Sequence, residues 1–235
     1  MIGVIVNTAT VLLGSAIGLL FKKAIPKKLA DAVMIALGLC TLYIGVSGAL
    51  EGNNTIVVII AMVLGTIVGT LLNIDGHLNG LGDKLGEKIS KNGAGEKGAV
   101  AQGFVTGSLL FCVGAMTIVG GLKAGLEGDN ELYLTKSILD LISSAMLSVS
   151  LGVGVMFSSV FVLVFQGAIV LLSGLLAPIL SDAAIAEITC AGSLMIIALG
   201  LNLIGVSKIK VANLLPALVF APLVLYAYDA VAALL

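Results

Sequence analysis

Apolar residues run through this chain in long stretches, broken at intervals by short polar clusters. Crossing the roughly 30 Å hydrocarbon layer of a bilayer takes about 20 helical residues. Measured against that length, the pattern predicts eight spanning helices, over 2–21, 29–50, 55–73, 99–122, 133–154, 158–180, 186–206 and 211–233. The fifth and sixth divide by length alone, near "GVGVMFSS", because only Lys136 and Asp140 carry charge between residues 132 and 180, and counts of six or seven stay open. The first run lacks a charged region before it and is as long as a full span, so it is expected to be a helix and not a cleaved signal. The fold class this predicts is all-α: a polytopic helical membrane protein.

Composition agrees, since 59% hydrophobic and 11% charged residues are too apolar for a water-soluble globule. Thirty glycines fit helices that approach closely where no hydrophobic effect joins them. A net charge of −1 says nothing about nucleic acid, which is not expected as a partner, and the apolar composition makes membrane lipid the expected surroundings. Cys40, Cys112 and Cys190 lie far apart in apolar segments and suggest neither disulfides nor a zinc site.

Lysine supplies every basic residue and sets the orientation. With eight spans, ten of the twelve lysines other than Lys123 and Lys136 fall on one side, while the opposite connections carry Glu51, Glu127, Asp129, Glu131, Asp182 and Glu187. The lysine-rich side is then cytoplasmic, both termini lie outside, and the expected location is the bacterial inner membrane. Within loop 74–98, Leu78, Leu81, Leu85 and Ile89 recur at helical spacing, which predicts a short surface helix.

The chain also echoes itself. "VLL" at 11–13 returns at 170–172, "ALGL" at 36–39 at 198–201 and "IGVS" at 44–47 at 204–207, at offsets of 159, 162 and 160. Spans 1–3 then match spans 6–8 with opposite orientation, an inverted repeat. The implied organisation is one transmembrane domain: repeat A over 1–73, the cytoplasmic loop 74–98, a central pair over 99–157 and repeat B over 158–235.

Candidate chemistry centres on the fifth span. Lys136, Asp140, Ser144 and Ser148 follow one another every four residues along a helical ridge, with Ser137 and Ser143 beside it. Charge at this depth is expensive and normally faces protein or water. Asp140 either forms a structural bridge to Lys136 or binds a cation or proton in a wet cavity. Lys136 would tune it or contact an anion. Ser144, Ser137, Thr117, Asn7 and Asn213 are the expected polar lining, with Pro216 and Pro222 breaking the last span beside Asn213. "GAGEKG" at 93–98 follows no strand and is no dinucleotide site, and His77, the sole histidine, has no histidine partner for a metal or triad. No enzyme or cofactor is therefore expected, and whether a metal binds stays open.

"VNTATVLLGSAIG" at 6–18, "VLGTIVG" at 63–69, "LLFCVGAMTIVGGLKAGLEGD" at 109–129, "KSILDLISSAMLSVSLGVGV" at 136–155 and "NLLPAL" at 213–218 resemble a bacterial membrane family, domain of unknown function 554 of the YdfK/YqgA type. The resemblance implies a multi-pass inner-membrane protein and supplies no binding residues. The function expected from the residues is transport of a small ion or small polar solute, proton- or cation-coupled, along a path lined by the fifth span. The alternatives are an ion channel, or a non-transporting scaffold or regulator. GxxxG spacings such as Gly14/Gly18 are compatible with a homodimer.

Overall fold

The computed structural model describes residues 1–22, 26–77, 80 and 97–233. Its helices are α1 (Ile2–Lys22), α2 (Lys27–Ala49), α3 (Thr55–Leu71), α4 (Lys97–Cys112), α5 (Ala115–Leu126), α6 (Glu131–Leu151), α7 (Val153–Leu171), α8 (Asp182–Leu203) and α9 (Ala217–Ala232), with a 3₁₀ turn at Val211–Leu214 before α9. Among the described residues there is no strand, so the all-α expectation holds. Six helices among the described residues are long and apolar enough to cross a bilayer, or seven if α4 and α5 form one bent span, and α3 with its 17 residues is shorter. The surface helix expected within 74–98 falls largely on 78–79 and 81–96, outside the described residues.

The division within 132–180 falls at Gly152, whose φ of +75° lets α6 end and α7 begin within a single residue. A second glycine breaks the expected fourth span. Gly114, at φ +138°, separates α4 from α5, which meet at 59°.

The chain packs as two compact units. The first holds residues 1–37, 76–112 and 116–174. In it α1 runs parallel to α6, because Gly3 faces Tyr133, Gly14 faces Leu141 and Ser144, and Gly18 faces Ala145 and Ser148. A Cβ at Gly14 or Gly18 would collide with the Leu141 or Ala145 carbonyl, so small residues set how closely these helices approach. In the same unit α4 and α5 together follow α7 and the short helical turn Ser173–Leu176 after it, Gly103 lying on Val155, Gly107 on Ser158, Gly121 on Ile169 and Gly125 on Ser173.

The second unit holds residues 38–75, 113–115 and 175–235. There α2 lies against α8 through reciprocal contacts: a Cβ at Gly38 would meet Ile204, and one at Gly200 would meet Leu42. Gly65 and Gly69 of α3 close on Ala217 and Asn213. The "EGNN" connection is held from α8 by Glu187, whose Oε1 accepts the N–H groups of Asn53 at 2.9 Å and Asn54 at 2.7 Å. Asn54 in turn caps α3 by accepting from Ile56 and Val57.

Candidate functional site

Helix α6 is divided lengthwise by chemistry. Ile138, Leu139, Ile142 and Met146 are exposed, whereas Lys136, Ser137, Asp140, Ser144 and Ser148 are buried. In a bilayer the first row meets lipid and the polar row faces protein. The i, i+4 spacing puts Lys136 and Asp140 one turn apart on that inner row. Their contact is two-pronged: Lys136 Nζ donates to Asp140 Oδ1 at 2.8 Å and Oδ2 at 2.7 Å, with 7% and 5% of each residue exposed.

Asn7 of α1 completes the carboxylate's shell, its Nδ2 donating to Asp140 Oδ2 at 3.0 Å. The same amide nitrogen donates to Gln166 Oε1 of α7 at 3.2 Å. Gln166 Nε2 reaches the Phe111 carbonyl at 3.5 Å. That carbonyl closes α4 just before Gly114 and would, in an unbroken helix, accept from residue 115. Thr117 of α5 also donates to it, at 3.3 Å. A continuous chain of bonds thus runs from the Lys136 ammonium through Asp140, Asn7 and Gln166 to the carbonyl freed by the helix break. Asn7 Oδ1 is buried and accepts nothing. Reversing the amide would turn that oxygen onto the carboxylate, so the neighbouring charge dictates its orientation.

Of the expected lining residues, Asn7, Lys136, Asp140 and Thr117 meet in this chain of bonds. Ser137 and Ser144 share the buried row but donate to their own helix, to the Tyr133 carbonyl at 2.6 Å and the Leu141 carbonyl at 3.1 Å. Asn213 belongs to the second unit, where its Oδ1 accepts the Asp75 N–H at 2.8 Å. Gln166 and Tyr133 escape a reading by charge. Tyr133 is fully buried, with its hydroxyl donating to the Thr117 carbonyl at 3.0 Å. Gln166 had a signal in the sequence, since it is the only amide of its apolar run and stands 159 residues after Asn7, the offset at which "VLL" recurs.

No group of three or more His, Cys, Asp or Glu side chains that could hold a metal occurs among the described residues. What the cluster offers is one carboxylate neutralised by one ammonium, two amides, and carbonyl oxygens beside a break. Such a set can hold a proton or a small cation in competition with the lysine, or a polar solute by hydrogen bonds.

The family described as "Protein of unknown function (DUF554)" matches residues 2–226. The uncharacterized membrane protein YdfK of Bacillus subtilis (strain 168) is 32% identical over 234 residues, 98% of each chain. The uncharacterized protein YqgA of Escherichia coli (strain K12) is 28% identical over 223 residues, 94% of each chain. No solved structure matches.

Proposed function

We propose that this chain, a membrane protein that belongs to the DUF554 family, carries a small ion or small polar solute across the membrane along a path that passes Asp140. The observation carrying this reading is the buried Lys136–Asp140 pair, joined through Asn7 and Gln166 to a backbone carbonyl at a broken helix. Ionised groups at membrane depth are retained where they serve a pathway, and discontinuous helices present the carbonyls and amides that replace a solute's water. Asp140 is the cation or proton site, Lys136 its resident counter-charge, and Asn7, Gln166, Thr117 and the Phe111 carbonyl the polar wall. We take α3 as an eighth crossing and α4 with α5 as a single one, which returns the lysines to one face and places both termini outside the inner membrane.

Two geometric features support an inverted repeat within this reading. Asn7 and Gln166, equivalent at offset 159, bond to each other, and Gly38/Ile204 mirrors Gly200/Leu42 at offset 162. Equivalent residues meet reciprocally when two copies are related by a two-fold axis.

One observation favours a second reading, a non-transporting scaffold: both Asp140 oxygens are already satisfied, as in a structural bridge. The two readings separate in proteoliposomes. Ion or proton flux should be lost in Asp140→Asn and in the charge-balanced Lys136→Gln/Asp140→Asn pair, which keeps the cluster neutral and so guards against a folding defect. Flux that survives in the well-folded pair overturns the assignment of Asp140. Flux that saturates and can be driven uphill marks a carrier and not a channel.

A further inference from the structure

The break between α4 and α5 is not imposed by crowding at Gly114, where an added Cβ meets no atom within 4 Å. Its anchor is the residue before. A Cβ at Gly192, in the middle of α8, would overlap the Val113 Cγ1 methyl and would stand 3.3 Å from both Val113 Cβ and Leu218 Cδ2. Val113 therefore sits in a notch that exists only because residue 192 lacks a side chain. Residues 113–115, Gly192 and Leu218 all belong to the second unit, whereas the helical residues on either side of the break belong to the first.

The seat is stiff. Valine is branched at Cβ and has few χ1 choices, so its methyl cannot leave the notch without moving the backbone that carries it. Two residues earlier the same backbone presents the Phe111 carbonyl, which accepts from Gln166 Nε2 at 3.5 Å and from Thr117 at 3.3 Å. Gln166 leads on through Asn7 to Asp140. An unbroken helix would return that carbonyl to the amide of residue 115 and withdraw it from Gln166. Gly114 permits the break through its positive φ, and Val113 fastens it.

We infer that Val113 and Gly192 are positioning residues for the Asp140 site: seated in its notch, Val113 keeps the α4–α5 helix broken and the Phe111 carbonyl aimed at Gln166. Neither residue touches the solute. The inference rests on the transport reading and adds that residues of the second unit set the geometry of a site in the first. Such a link is reciprocal by thermodynamic necessity. A solute that takes over the Phe111 carbonyl loosens Val113, and a shift at the notch changes affinity at Asp140.

The test uses Gln166 as its reporter. The chain has two glutamines, exposed Gln102 and buried Gln166, so isotope labelling of glutamine side chains gives two amide signals in nuclear magnetic resonance, told apart by Gln102→Asn. Gly192→Ala overfills the notch. It should move the Gln166 signal and lower the Asp140-dependent proton or sodium flux into proteoliposomes by about tenfold, a coupling ordinary for residues in contact. Val113→Ala/Gly192→Ala sets two methyl carbons 3.3 Å apart, which a small shift relieves, and should restore both signal and flux. Val113→Ala alone empties the seat and should also move the signal, which decides the matter should Gly192→Ala misfold. A Gln166 signal unmoved in either folded single variant, or moved in Gly192→Ala and not restored in the pair, overturns the positioning role even where flux depends on Asp140. A signal moved and restored beside flux indifferent to Asp140→Asn upholds the positioning and sinks the transport reading of the aspartate.

Discussion

Replacing Lys136 by Met removes the ammonium at nearly constant volume and leaves the Asp140 carboxylate with Asn7 Nδ2 as its remaining donor. Both residues are more than nine-tenths buried, so water cannot replace the lost partner in place. Breaking a buried pair in this way costs about 3–5 kcal/mol. For a chain of this size, roughly 2–4 °C of Tm accompany each kcal/mol, which gives a fall of about 6–20 °C. The double substitution Lys136→Met/Asp140→Leu deletes both charges and leaves Asn7 short of one acceptor, a loss of about 1–3 kcal/mol, since Gln166 still accepts from it. The double variant should therefore be more stable than the single one. The buried thiols of Cys112 in the first unit and Cys190 in the second supply the readout, because a thiol-reactive dye reports each as its surroundings open on heating. A Lys136→Met variant within about 1 kcal/mol of the native protein, or no more stable when the aspartate is also removed, would refute a charged, buried pair.

Three further substitutions probe the frame around the site. Gly18→Val drives a side chain into the Ala145 carbonyl and should lower stability by about 1–3 kcal/mol or more, read as early release of the Cys112 thiol on heating. Gly114→Ala meets no atom within 4 Å, so its penalty of roughly 1–3 kcal/mol in the same assay comes from the backbone at φ +138° alone. Glu187→Ala leaves the Asn53 and Asn54 N–H groups without their acceptor and should cost about 1–3 kcal/mol, with faster deuterium exchange at those two amides, whereas Glu187→Gln keeps an oxygen there and should lose less.

The helices were legible because bilayer thickness and the apolar runs share one length, and the α6 site because a charge amid apolar residues stands out by its cost. The breaks were harder to place. Gly114 and Gly152 are two among thirty glycines, and only the backbone reveals that these adopt positive φ while Gly14 and Gly18 serve close packing. Asn213 read as lining because it precedes Pro216, but an amide beside a break can equally tie down backbone, as it does to Asp75. Glu187 read as one acid among several on an outer connection, and its burial depends on the loop that folds over it.

Gln166 shows why a repeat carries more than topology. Alone in an apolar run it resembles any helix-packing amide, but in the proposed repeat, at offset 159, it would be the counterpart of Asn7, and the two side chains are bonded. If the copies are related by a two-fold axis, only residues near that axis can touch their own equivalents. Asn7 and Gln166 touch one bond from Asp140, and the carboxylate would break such an equivalence, because it accepts from the Asn7 amide NH2 and leaves the Asn7 oxygen without a donor. On the proposed repeat, the unpaired acceptor would sit where a symmetric frame meets a single charge. In an inverted repeat that seam is where a solute can be approached from either face of the membrane.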